Sequence, residues 1–156
     1  MSTATTIQRF LQQHHVECDA MHHPHTATAW ESAMATNVEP DCMAKAVMLG
    51  DDKGLMMAVV PASHDVKLRQ LRRETGRKLR ILREREFARL FPDCEVGAIP
   101  PIGPAYGMEM VWDDCLAEQS DIYFEAGDHE NLMHVSSHDF VDMLRGSRHG
   151  CISSQR

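Results

Sequence analysis

The chain has 156 residues, 43% of them hydrophobic, and a formal charge of −7, with a mean hydropathy of −0.36. That length and composition suit one domain with a real core, residues 1–156, and the acidic balance argues against general affinity for nucleic acid. No apolar run approaches the ~18 residues of a membrane span, and MSTATTIQRF lacks the basic-then-apolar order of a signal peptide.

In ATTIQRFLQQH, residues 4–14, Ile7, Phe10 and Leu11 share one helical face. A short strand is predicted around 16–22. Thr26 or Thr28 can cap a second helix running through Ala35, with Ala29, Ala33 and Met34 available for burial. CMAKAVMLG, then DDKG, then LMMAVVP predicts a hairpin over 42–61 that Pro61 ends. A basic helix follows, capped by Asp65, with Leu68 and Leu71 inward and Gly76 as its stop. KLRIL reads as a short strand, and residues 84–91 as a helix that Pro92 terminates. VGAIPPIG, residues 96–103, is a loop. GMEMVWD, DIYFEAG and NLMHV read as strands, the last two as a hairpin. Ser136 or Ser137 caps a final helix over roughly 138–145, and the tail 146–156 reads as frayed. The expectation is an α+β domain with a mainly antiparallel or mixed sheet and hairpins rather than regular βαβ units.

Between Lys67 and Arg89 ten cationic residues face three acids, giving that segment a charge of +7 and leaving −14 for the rest. Arg69, Arg72, Arg73, Arg77 and Arg80 fall within it. Two readings fit: a solvated helix face, or a local island for a polyanion on a protein that repels such partners elsewhere. Five cysteines, an odd number with no CxxC pair, predict reduced thiols in a cytoplasmic protein. Ten histidines invite a metal, but none matches HExxH and no cysteine completes a ligand set; no metal and no cofactor are expected.

Three features bear on chemistry. Lys45 sits inside an apolar strand between Ala44 and Ala46. Its ammonium either snorkels to the rim, guarding an edge strand, or meets ligand oxygens in a cavity. In VGAIPPIG, Gly97 permits close backbone approach, while Pro100 and Pro101 lack N–H groups and stiffen the chain. Such a segment is either a rigid turn or a fixed array of main-chain dipoles able to hold a small polar group or an oxyanion. His134, seven residues after Gly127, is either a hydrogen-bonded strand residue or a donor that orients water.

With TATAWESA at 26–33, the lysine in MAKAVML, the GxxxP pattern from Gly97 to Pro101 and the Gly127–His134 spacing occur in one order. That order resembles the YbaK family of aminoacyl-tRNA deacylases and the editing insertion domain of bacterial prolyl-tRNA synthetases, over about residues 20–145. The resemblance implies a compact α+β, barrel-like fold around a curved sheet. It implies hydrolysis of the ester joining a wrong amino acid to tRNA, aided by the ribose hydroxyl of the tRNA itself. Lys45 matches the family's active-site lysine, and Gly97 and Pro101 match its loop. His134 matches a histidine of the branch that removes alanine from proline tRNA, so Ala, then Cys, Ser or Thr, on tRNA(Pro) is the expected substrate. On this analogy Lys45, Gly97 and His134 are catalytic. Ala98, Ile99, Pro101 and Gly127 bind substrate, and Arg69, Arg72, Arg73, Arg77 and Arg80 meet tRNA phosphates. A synthetase is a possible partner and a membrane is not. A non-catalytic tRNA- or synthetase-binding module is the alternative.

Overall fold

The computed structural model describes residues 3–95 and 97–156. Helix α1, Thr5–Gln13, buries Ile7, Phe10 and Leu11 against the core, each contributing about 1.5–3 kcal/mol. Strand β1, Asp19–His22, leads to helix α2, Ala29–Thr36. Thr28 caps α2 by accepting from the Glu31 N–H, and the Glu31 side chain accepts in return from the Ala27 N–H at 2.9 Å, a reciprocal cap that fixes the helix start. Ser32 and Ala33 are its buried residues, whereas Met34 is 51% exposed, contrary to the expected burial.

Strands β2, Ala44–Asp51, and β3, Gly54–Pro61, pair antiparallel in full register from Ala44↔Pro61 to Asp51↔Gly54. The short strand β4, His64–Val66, takes in Asp65, so the basic helix α3, Leu68–Thr75, begins after Lys67 without a side-chain cap. Gly76 closes α3 in the left-handed conformation, as expected. Strand β5, Arg80–Ile81, and helix α4, Glu84–Phe87, are shorter than the sequence pattern predicts, and a 3₁₀ turn over Ala88–Leu90 completes the second. Then come β6, Met110–Asp113; β7, Asp121–Glu125; β8, Asn131–Ser136; and α5, Ser137–Met143, capped by Ser136.

The tail is not frayed. Strand β9, Arg148–Gly150, pairs parallel with β6, and β10, Ser153–Gln155, pairs antiparallel with β4. Ile152 and Ser153 are buried, and the Asp113 carboxylate anchors them, accepting from Ile152 N–H at 3.0 Å and Ser153 Oγ at 2.6 Å. Burial alone raises the Asp113 carboxyl, but these bonds and one from Cys115 outweigh it and hold the group below its usual range.

The main sheet runs β5-β2-β3-β6-β9 and is mixed, since β6 lies parallel to both neighbours. Its order is open, with β5 and β9 at the edges, so it does not close into a barrel. A second sheet, β1-β8-β7, is antiparallel, and a parallel bridge from Met43 to Tyr123 ties it to the start of β2. The largest core cluster lies between α1, α5 and both sheets, around Ile7, Met57, Trp112, Phe124 and Phe140.

Candidate active site

Lys45 stands on a stretch of β2 that loses one neighbour. Strand β5 reaches only Leu49 and Gly50, so Ala44–Val47 form an open edge on that side. A cavity of about 290 Å³ opens there, lined by Lys45, Ala46, Phe87, Gly97, Ile99 and Glu125 among others. Residues 27–29 at the start of α2 supply a further wall. The structure therefore brings the lysine and the proline-stiffened loop to one cleft.

The lysine is half-buried, and its ammonium pKa is lowered first by burial and then by the Arg156 charge, against a smaller opposing pull from Asp65. Such a cation is poorly solvated and gains from an anionic or polar ligand more than an exposed lysine would.

Gly97 adopts φ +84°, and a Cβ there would lie 3.0 Å from the Ala27 carbonyl oxygen and 3.0 Å from His129 Cε1. Only glycine lets the loop come this close to the start of α2. The N–H of Ala98 is engaged, donating to the Glu95 carbonyl at 3.1 Å, and Ala98 is fully buried. Expected as a substrate contact, Ala98 instead closes a turn beneath the loop. The amides of Gly97 and Ile99 make no hydrogen bond among the described residues. Pro101 is buried and acts by stiffening the loop. Gly127, φ +111°, is also buried; a Cβ on it would meet that of Ala4 at 2.9 Å, and its carbonyl accepts from Glu95 N–H at 2.7 Å. It braces the loop from behind.

His134 is not on this cavity. Its Nε2 lies 2.7 Å from Asp121 Oδ1 and its Nδ1 3.4 Å from Asp19 Oδ2, and the ring stacks on Tyr123. The bond to Asp121 raises its pKa against a smaller effect of burial. The register explains the position: Tyr123 faces His134 while Glu125 faces Leu132, so His134 sits one pleat repeat, about 6.8 Å, farther along the same face.

The residue that sequence reasoning missed is Glu125. It is 4% exposed and lines the cavity. Its Oε1 accepts from the Ser32 hydroxyl and lies 3.0 Å from His23 Nε2. His23 Nδ1 faces the Pro24 carbonyl at 2.7 Å and so carries a proton, because a carbonyl can only accept. Thr26 extends the chain through Ser32 at 2.6 Å. The other oxygen, Oε2, is buried with no hydrogen-bond partner among the described residues. Burial pushes the Glu125 carboxyl up, opposed by Ser32 and by the charge of His23.

The basic island is mixed. Arg69, Arg72, Arg73 and Arg80 are exposed, although Arg72 Nε donates to the Leu79 carbonyl at 2.7 Å and Arg80 pairs with Glu86 at 2.7 Å. Arg77 departs from the expected phosphate role. Its side chain is 13% exposed, and it clamps Asp51 at 2.7 Å and Glu109 at 3.1 Å, holding the Asp51 carboxyl down at about 2. Elsewhere, His64, Asp113 and Cys115 place three possible metal-ligand atoms within 4.8 Å, but both Asp113 oxygens already accept from protein donors. A larger depression of about 700 Å³, along Trp112, Ser136, His138 and Arg145, contains none of the sequence candidates.

The sequence signature of the aminoacyl-tRNA editing domain matches residues 23–143, and with them every wall of the cavity. The chain belongs to that family. No curated protein matches the editing domain significantly by sequence. Solved structures similar to it include the hypothetical protein APE2540, with a TM-score of 0.84 at 20% identity over 96% of this chain and 99% of that one. A candidate trans-editing enzyme for prolyl tRNA synthetase aligns with a TM-score of 0.79 at 21% identity, over 96% and 95% of the two chains. In a candidate signal transduction protein from Marinobacter aquaeolei VT8 the same fold, with a TM-score of 0.80 at 17% identity, matches 99% of this editing domain but 31% of the longer chain.

Proposed function

We propose that this editing domain deacylates mischarged tRNA in trans, removing a small amino acid, alanine first and then Cys, Ser or Thr, from tRNA(Pro). The observation that carries the reading is the meeting of Lys45 with the Gly97–Ile99 backbone across one small cavity inside the family's domain. The name of the structural relative for prolyl tRNA synthetase points the same way.

The ester of an aminoacyl-tRNA is already activated, so its hydrolysis needs positioning, a water and a place for the developing negative charge rather than a protein nucleophile. Lys45 contacts the terminal phosphate or ribose and brings the ester to the open edge of β2. The amides of Gly97 and Ile99, unengaged among the described residues, receive the oxyanion, and the ribose hydroxyl of the tRNA helps to activate water. Ile99, Met48 and Phe87 limit the side chain that fits. No cofactor enters the chemistry. Phosphates of the acceptor stem lie along Arg69 and Arg73 on α3, with Arg72 and Arg80 beside them. Arg80 pairs with Glu86 of α4, the helix that carries the cavity residues Glu84 and Phe87.

A panel of tRNA(Pro) charged with alanine, cysteine, serine, threonine or proline tests the reading with the purified protein. Free alanine should be released fastest and proline slowest. Lys45→Ala should lower alanine release by about 10²-fold or more while leaving the circular dichroism spectrum unchanged, since it removes a desolvated charge facing Arg156. Binding of the tRNA without release of amino acid would establish the non-catalytic module instead.

A further inference from the structure

We infer that Glu125 receives the α-ammonium group of the bound aminoacyl ester, making a free amine a requirement of the site. The assignment rests on the editing reading above and adds to it the group that selects the reacting end of the substrate.

Buried polar atoms in folded proteins are almost always hydrogen-bonded, and a buried carboxylate oxygen without a partner calls for a missing donor. Oε2 of Glu125 is such an atom, on a residue that lines the cavity. Oε1, by contrast, is held by Ser32 and His23 from behind. That support orients the carboxylate and leaves one oxygen uncommitted, as a binding group requires.

The substrate narrows the choice of donor. The ester oxygens can only accept, so they gain nothing from a carboxylate, and the neighbouring ribose hydroxyl is a neutral donor, weaker towards a carboxylate than a cation. Near the scissile bond the aminoacyl end offers one cation, the α-ammonium, with three N–H donors. The cavity already carries its complement in charge: the Lys45 ammonium suits the phosphate or ribose side, and Glu125 suits the amine side. His134, expected to orient water, lies off this cavity, and the amino group falls to a residue on its wall.

The test compares alanyl-tRNA(Pro) with lactyl-tRNA(Pro), which replaces the ammonium with a hydroxyl of nearly the same size. Each rate is divided by the uncatalysed rate of its own ester. Wild-type protein should prefer the alanyl ester by roughly 10- to 100-fold in kcat/KM, the range for a hydrogen bond to a charged group. Glu125→Gln should slow alanyl hydrolysis far more than lactyl hydrolysis, shrinking the preference to about threefold or less. Equal slowing of both esters would make Glu125 a general base or a structural residue and overturn the assignment. So would a wild-type protein that treats the two esters alike, a result that needs no variant and holds even if Glu125→Gln fails to fold. A wild-type protein that hydrolyses neither ester, nor any member of the mischarged panel, would remove the editing reading and this assignment with it. Loss of selectivity alone would remove only the latter.

Discussion

Gly97→Ala is the sharpest probe of the loop, because two separate costs can be worked from the structure. At φ +84° an alanine is in left-handed backbone, which costs roughly 1–2 kcal/mol. Its Cβ would also stand 3.0 Å from the Ala27 carbonyl oxygen and 3.0 Å from His129 Cε1. Backbone on one side and a buried ring on the other leave little room to yield, and overpacking of this kind costs about 1–3 kcal/mol. The sum is about 2–5 kcal/mol. Gly107→Ala supplies the control. Gly107 has φ +62° and nothing within 4 Å of its would-be Cβ, so only the first cost, roughly 1–2 kcal/mol, applies.

Urea unfolding of both variants and the wild type gives the two differences directly. Gly97→Ala should be the more destabilised by about 1–3 kcal/mol. It should also lose at least tenfold in kcat/KM for alanyl-tRNA(Pro), because the loop can relieve the clash only by backing away from α2 and out of the cavity. Gly107→Ala should keep its activity. Equal destabilisation of the two, or an active Gly97→Ala, would refute the claim that close packing of the loop against Ala27 sets the geometry of the site.

Two further outcomes follow from the charged surface and from β8. Arg69→Glu with Arg73→Glu should raise KM for tRNA and flatten the dependence of log KM on log salt by about 1.8, the slope for two phosphate contacts. Both side chains are exposed and neither has an ion-pair partner among the described residues, so the fold should be unaffected, and an unchanged salt slope would take α3 out of the interface. His134→Ala should leave deacylation intact and change stability with pH. The pKa of His134 is raised in the folded state by Asp121, so its contribution is fully present below the unfolded value of about 6.5 and fades as pH rises through the folded value. The loss on mutation, at most about 1 kcal/mol for this partly exposed pair, should appear in unfolding at pH 5.5 and vanish by pH 9. An effect on turnover would return His134 to the site.

Much of this architecture is written in local sequence. The β2–β3 hairpin, the Thr28 and Ser136 caps and the Gly76 stop follow from period, capping chemistry and glycine geometry. The Lys45 and GxxxP elements of the candidate site are equally legible, since each is a short run whose oddity shows within a few residues. What could not be read depends on partners far along the chain. Ser153 looks like part of a polar tail until Asp113, 40 residues earlier, is found buried beneath it. Glu125 looks like the polar end of an alternating strand. Only the approach of His23, 102 residues away, shows that it is buried and oriented. Its strand hint was present: Ile122, Phe124 and Ala126 turn inward, which places Glu125 on the face shared with Tyr123. His134 erred in the opposite direction. Its strand is legible, but the register places it one repeat too far from the cavity.

The proposed site faces a demanding choice, because proline, the correct amino acid on the same tRNA, exceeds alanine by only two carbons. Exclusion by Ile99, Met48 and Phe87 is worth about 1–3 kcal/mol for a methylene's difference, which alone gives modest discrimination. An ammonium-reading carboxylate adds a second filter with a different physical basis. Alanine offers a primary ammonium with three N–H bonds, whereas proline offers a secondary one with two, and its ring fixes their direction. A carboxylate held from behind by Ser32 and His23 cannot swing to follow. Bulk and amine geometry then act on the same bound ester, and where two such penalties are independent their free energies add. A site with no reactive nucleophile can therefore be selective, provided that both walls stay rigid. That requirement accounts for the proline-stiffened loop on one side and the buried hydrogen-bonded chain on the other.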